Sequence, residues 1–524
     1  MKLIALCPSL ICLLVFGVSL ARGQEKVGEI VNPLDFDVKK STDLLVLKDP
    51  TDPLKTCLFA INRGQILAQE FDTNYQAITH QTYNNQNHLQ FPNLLGGVYT
   101  DKRSVLINAN GRNKSFNILS VDNERKFIVN KEIKLSNDEI FLESFALGTY
   151  FYLVTVGWKN PYLVFYRITN KLIIETHKVA LDDYKFGKQE TDLYNNLIGT
   201  TNDIDVSKIS YETINSLGAT YNRAKIYTFD DTFVLTMDKQ FGQTLILKIN
   251  LLKWEAEFMK FKVNGDDCSK SKSNSFLYFD KLLKAQVCDD RLLLSIIDVS
   301  NKEIVNQFEA KSSEEIGFKN TSITQEGGNS IYVSNNTREL ADATSLIRKI
   351  HNSQMSVAVN LTKQCESCFE ITIGSFAEKE MANGGGSGYM GGVMIPVQGS
   401  FSPTYNGYTK STWTKSAFFK TILQGDNFSH KMGQIEMTDF DRIENFSGRN
   451  ESDIIAKTVF YKAGQYYLTY YSKDFKKLRS HEILTKSSNL ISMYSNFFLI
   501  RKSHKSPLFL PSLKLKCTYG CEDS

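Results

Sequence analysis

Short runs of aliphatic, β-branched and aromatic residues, broken by brief polar turns, recur along most of the chain. Residues 150–156 form one such run, 157–161 a turn, 162–168 a second run, 169–171 a tight turn, and 172–176 a third run. The same order returns at 232–237, 244–249 and 254–258, with Asn250 to Lys253 as the tight turn. It returns again at 292–297 and 304–308, and an earlier copy occupies 115–121 and 126–129. Such residues fit a half-buried pleated surface, so each run predicts a β-strand, and each polar break a reversal of the chain.

The last apolar residues before the tight turns are Val121, Ile168, Ile249 and Ile297, at intervals of 47, 81 and 48 residues. Weaker markers follow at Ile350, Leu423 and Tyr471, and one precedes them at Ile61. The long interval contains a polar insertion of about 182–221, which carries a predicted short helix from Ser207 to Leu217 ended by Gly218. A second insertion, 383–414, is rich in Gly. A meander of four strands recurring every ~40–50 residues resembles the blade of a β-propeller. One meander cannot bury both its faces, whereas stacked blades can. The expectation is an all-β, β-propeller-like domain over 44–512 with seven or eight four-stranded blades. In that reading 490–494 and 497–500 complete a first blade begun near Leu44 to Leu47. The resemblance is to divergent exported propeller-like proteins in general and rests on strand periodicity; it transfers no functional residue. Two β-sandwich or barrel domains, or a mixed α/β fold, are the alternatives.

Composition agrees with this architecture. Aromatic residues make up 12% of the chain, with 34 Phe and 24 Tyr, against only 10 Pro. That balance excludes collagen-like and Pro-rich disordered classes. The net charge of +4 is spread without a long basic run, so neither nucleic acid nor an anionic membrane is an expected partner. Lys2, an apolar stretch from Leu3 to Leu20, and Ala21-Arg22-Gly23 have the order of a secretory signal peptide, 1–23. Residues 24–43 read as a lead-in and 513–524 as a polar tail. After signal cleavage no membrane span is expected, and the product is secreted or otherwise extracytoplasmic (periplasm or cell surface in a bacterium).

Export favours disulfides. Three local pairs are expected, Cys268 with Cys288, Cys365 with Cys368, and Cys517 with Cys521, leaving Cys57 as a small buried residue. A redox role or a zinc half-site at Cys365-Glu366-Ser367-Cys368 is the alternative. Gly386 to Gly391 matches G-x-G-x-x-G, but Pro396 follows where a dinucleotide site needs a helix, so no cofactor is expected. The seven His form no i,i+4 pair, and no metal is expected either. The Gly-rich insertion offers aromatic faces at Tyr389, Tyr405, Tyr408 and Trp413, and the turn 157–161 offers Trp158; these are the ligand-binding candidates. Acidic pairs stand at Asp203/Asp205, Asp266/Asp267, Asp289/Asp290 and Asp439/Asp441, the last reading as a helix capping box with Thr438. The functional expectation is an exported binding or scaffold protein for a glycan or an extracytoplasmic protein. A carbohydrate-active or other hydrolytic enzyme on the same scaffold, and a subunit of a cell-surface assembly, are the alternatives.

Overall fold

A computed structural model describes residues 25–31, 42–380 and 412–483, except 53–54, 73–76, 86–87, 101–102, 123–126, 188–191, 200–203, 212–214, 239–242, 263–270, 328–336, 353–354, 451, 463–464 and 474–476. Among these residues the chain is all-β and forms seven sheets, four of which are simple four-stranded antiparallel meanders in chain order. The first sheet contains Asp43–Lys48, Thr56–Ile61, Gln65–Phe71 and Ala77–Asn84. The second runs from Asn93–Thr100 to Phe127–Lys134, and the third from Glu139–Leu147 to Ile174–Ala180. The fourth contains Ala224–Phe229, Thr232–Met237, Gln243–Asn250 and Ala256–Lys262, with Val206–Ile209 added in parallel at its edge. The fifth runs from Lys272–Tyr278 to Ile304–Lys311.

The predicted markers Val121, Ile168, Ile249 and Ile297 all lie at the end of the third strand of a sheet. Those strands are almost wholly buried, which is why their apolar runs are continuous rather than alternating. The fourth strands alternate, as Ala256–Lys262 shows, because one of their faces meets solvent.

The sixth and seventh sheets depart from the simple order. In the sixth, Ser356–Cys365, Cys368–Glu380 and Thr412–Gln424 pair in sequence, and the earlier strands Ile323–Gly327 and Arg338–Leu340 complete it from the far side. In the seventh, Ile454–Lys462, Gln465–Ser472 and Lys477–Ile483 are joined by Glu25–Val31, from the segment expected to be only a lead-in. The first sheet is four-stranded without 490–500, which lies outside the described residues.

Neighbouring sheets share apolar cores. Leu44, Leu58 and Leu67 of the first sheet pack with Ala456 and Tyr471 of the seventh. Leu45 and Phe59 pack with Leu106 and Val121 of the second. The second and third sheets meet through Ile107, Phe116, Phe151 and Leu153, and the third and fourth through Phe145, Phe165, Phe233 and Leu247. A single large cluster then spans the fourth, fifth and sixth. Burying a Phe or Leu fully contributes about 1.5–3 kcal/mol, so these seams carry much of the stability. All described residues belong to one unit, Glu25–Ile483.

Two expectations are corrected. The helix expected from Ser207 to Leu217 is instead the strand Val206–Ile209, followed by a short helix at Leu217–Thr220. Ile209 is buried against the fifth and sixth sheets, and burying this edge strand wins over local helix propensity. Gly218 is inside the short helix and does not end it; Ser216 caps it by accepting from Ala219 N, and a Cβ on Gly218 would sit 3.1 Å from the Phe376 ring. The marker Ile350 ends no strand. It lies on helix α1, Ala343–Asn352, whose residues Ala343, Leu346, Ile347 and Ile350 are buried at helical spacing.

The capping box at Thr438 is present. Helix α2, Asp439–Arg449, begins with Thr438 Oγ1 accepting from Asp441 N at 3.0 Å and Asp441 Oδ2 accepting from Thr438 N at 2.8 Å.

Candidate functional site

Helix α1 packs against the fifth and sixth sheets because its apolar stripe needs cover. Its first turn is held by Asp342, whose Oδ1 accepts from Ser345 N at 2.8 Å. The stripe faces the sheets, which leaves Arg348 exposed and Lys349 half-buried on the flank. The edge strand Arg338–Leu340 lies on one side of that flank. In the sheet Arg338 stands opposite Gln325, and its Nε and Nη2 donate to Gln325 Oε1 at 3.3 and 3.0 Å. Lys415 lies in register between Gly327 and Ala377, two residues before the buried Ala417, and so shares that residue's face.

These elements border a shallow, open pocket of about 470 Å³. Arg338, Arg348, Lys349 and Lys415 line it together with a single carboxylate, Glu339. Leu340 and Ala341 supply apolar wall, and Ser345 a hydroxyl. Burial pushes the Lys349 ammonium below the ordinary lysine range, and the neighbouring Lys415 and Arg338 charges push it the same way. Four cations line the site against Glu339, with Asp342 also in electrostatic reach of Arg348, so positive charge is in excess there, and it attracts anions and raises their local concentration. Guanidinium forks and ammonium groups are the side chains that bind oxyanions through charge-assisted hydrogen bonds.

No part of this pocket was among the sequence-derived candidates. No basic run exists, because the cations come from three separated elements. The detectable signal was the amphipathic stripe of α1 followed by Arg348-Lys349.

The candidates themselves lie elsewhere. Trp158 is 40% exposed in its turn on the third sheet, with Lys159 Nζ 4.7 Å from the ring centroid. The backbone of Trp413 pairs with Lys379 at the base of the long hairpin, two residues before Lys415. Tyr389, Tyr405 and Tyr408 lie outside the described residues, as do Cys268, Cys517 and Cys521. Cys365 and Cys368 form a disulfide across the tip of the hairpin in the sixth sheet. Cys288 is also disulfide-bonded. Cys57 is fully buried in the core of the first sheet. Among the acidic pairs, Asp439 Oδ1 accepts from Arg442 Nη1 at 3.2 Å, Asp441 caps its helix, and Asp289 Oδ1 lies 3.5 Å from His351 Nδ1. Two asparagines of N-x-S/T sequons use their amides structurally: Asn320 Nδ2 donates to Lys431 O and Gly433 O, and Asn360 Nδ2 to Asn215 O.

Other ionisable groups with displaced pKa values serve packing. Lys225 and Asp238 are buried between the fourth and fifth sheets with Nζ and Oδ2 3.9 Å apart. Lys225 donates to Asn222 O at 2.6 Å and to Asn274 Oδ1, and Asn274 Nδ2 donates to Val357 O of the sixth sheet at 2.8 Å. Asp238 accepts from Ser275 N, Ser275 Oγ and Thr244 Oγ1 at 2.9, 2.7 and 2.6 Å. Burial lowers Lys225 to about 8 against the opposing pull of Asp238, and burial lowers the adjacent Lys284 as well. Burial also pushes Asp43, on the first strand of its sheet, up to about 7.

No family model matches the chain, and no curated protein matches it. Among solved structures, an ACO mutant from Synechocystis is similar over 52% of this chain and 63% of its own, at 10% identity and a TM-score of 0.28. An ACO/RPE65 chimera is similar over 52% and 62%, at 10% identity and a TM-score of 0.27. The chain thus spans less than two thirds of the length of these structures. Hsv2 of Kluyveromyces lactis is similar over 65% of this chain and 95% of its own, at 8% identity and a TM-score of 0.27. Likeness at this level transfers neither a site nor an activity.

Proposed function

We propose that this chain is an exported β-propeller binding protein that holds an anionic group of its ligand in the pocket between α1 and the edge of the sixth sheet. The observation that carries the reading is the convergence of Arg338, Arg348, Lys349 and Lys415 on one concave surface with a single carboxylate.

Closure of the sheets into one ring belongs to the same reading. Strands of neighbouring sheets touch: Asp43–Lys48 meets Ile454–Lys462 and Asn93–Thr100, Glu139–Leu147 meets Asn93–Thr100, Val206–Ile209 and Ala224–Phe229, and Lys272–Tyr278 meets Ser356–Cys365. Lys420 Nζ of the sixth sheet lies 3.8 Å from Asp441 Oδ1 of α2, which packs on the seventh. A closed ring would leave each sheet only short, protected edges. Export draws support from the signal-like segment 1–23 and from the Cys365–Cys368 disulfide, which suits an oxidising compartment.

The test is titration of the secreted chain with inorganic pyrophosphate at low ionic strength, by calorimetry. Saturable binding should weaken at least about tenfold in the Arg348→Glu, Lys415→Glu double variant and at ~0.5 M salt. Equal binding by the variant would remove the pocket from the reading. N-terminal sequencing of the secreted chain should begin at Gln24; retention of residues 1–23 in a cell-associated form would remove export by signal cleavage.

A further inference from the structure

We propose that the anionic group is a phosphate or sulfate monoester carried on a sugar, so that the pocket binds an ionic ester and the ring bearing it together. The inference rests on the anion-binding reading above and specifies its ligand.

The pocket has room for more than a bare anion. Small-molecule sites occupy roughly 300–1,000 Å³, and 470 Å³ is several times the volume of one tetrahedral oxyanion. The remaining space is lined by groups that a bare anion does not use. Glu339 would repel it, yet a carboxylate accepts hydrogen bonds from sugar hydroxyls. Ser345 can donate or accept, and Leu340 and Ala341 offer apolar surface to the C–H face of a ring.

The cations suit a tetrahedral ester. It presents three terminal oxygens to several donors at once, where the carboxylate of a uronic acid presents two.

The experiment compares mannose 6-phosphate and glucose 6-sulfate with inorganic phosphate, inorganic sulfate, mannose and glucose. Calorimetry on the secreted chain at neutral pH and low salt gives each affinity. At least one sugar ester should bind about tenfold or more tightly than its own inorganic anion, and the neutral sugars should not bind measurably. The ester that holds this advantage identifies phosphate or sulfate as the group. Glu339→Ala should strengthen inorganic anion binding and collapse the advantage of the ester, and Arg348→Glu should abolish binding of both. Both side chains are exposed, and an unchanged thermal midpoint shows that the variants fold.

Inorganic anions that bind as tightly as the esters would overturn the sugar assignment and leave the anion site standing. A Glu339→Ala variant that keeps the ester advantage intact would do the same. Failure of every anion and ester to bind would overturn both readings.

Discussion

Replacement of Lys225 by Met gives a stability profile that depends on pH in a calculable way. The side chain is completely buried, and its pKa falls from 10.5 to about 8, chiefly through burial. That difference corresponds to about 3 kcal/mol between the charged and neutral forms. Below pH 8 the ammonium is charged in both the folded and unfolded chain, and the folded state carries the full penalty. Between pH 8 and 10.5 the unfolded chain binds the proton more strongly, so folding gains stability as pH rises. Above 10.5 the lysine is neutral in both states and the penalty is gone.

Methionine has no proton to lose. It leaves Asn222 O and Asn274 Oδ1 without their ammonium donor, at a cost of about 1–3 kcal/mol each. That cost does not depend on pH in this window. Asp238 keeps its three bonds from Ser275 and Thr244, and Lys284 is present in both proteins. The difference in unfolding free energy, wild type minus Lys225→Met, should therefore rise by about 3 kcal/mol between pH 8 and 10.5. Urea denaturation followed by tryptophan fluorescence at half-unit pH steps measures it. Parallel profiles for the two proteins would refute the assignment of a buried, charged lysine.

Asp43→Asn has the opposite sense. The folded-state pKa of about 7 lies above the ordinary aspartate value of 3.8, so wild-type stability falls as pH rises through that interval. The variant should melt about 5 °C higher than wild type at pH 8, with the gap closing near pH 4; a constant gap in calorimetric scans would count against it. Thr438→Ala removes the capping hydroxyl of α2 and should cost about 1 kcal/mol in denaturant titrations, with Thr438→Ser restoring most of it. Gly374→Ala places a methyl 2.1 Å from Ala417 O and 2.6 Å from Phe418 Cα, so it should destabilise by about 3 kcal/mol or fail to fold. A normal melting curve for that variant would show that the two strands can separate there without loss.

The strands that sequence reasoning found were those buried on both faces. The runs ending at Val121, Ile168, Ile249 and Ile297 are continuous because neighbouring sheets cover them on either side. The sixth sheet was less legible. Its outer strands, Ile323–Gly327 and Arg338–Leu340, precede its inner ones in the chain, and no periodicity encodes that crossover. Helix α1 carries Leu346, Ile347 and Ile350, whose apolar cluster imitates the end of a strand when only its last residue is counted. The pocket was hidden for a related reason. Arg338, Arg348-Lys349 and Lys415 are ordinary surface cations until strand pairing and one helix set them side by side.

The pairing of Glu25–Val31 with Lys477–Ile483 bears on how the protein is made. Its partners are about 450 residues apart, so the contact closes the longest loop in the described chain and bears the largest closure entropy. Such non-local pairing is intrinsically slow to form, because the loop must close before the contact stabilises it. During synthesis the first strand emerges early and waits without its partner until Lys477–Ile483 has been made. Glu25, Lys26 and Glu29 place charges on that waiting strand, the feature by which natural sequences keep an open edge from recruiting a stranger. A nascent chain stalled before Lys477 would thus carry two incomplete edges, and quality control would meet it as an aggregation-prone intermediate rather than as a shorter but finished fold.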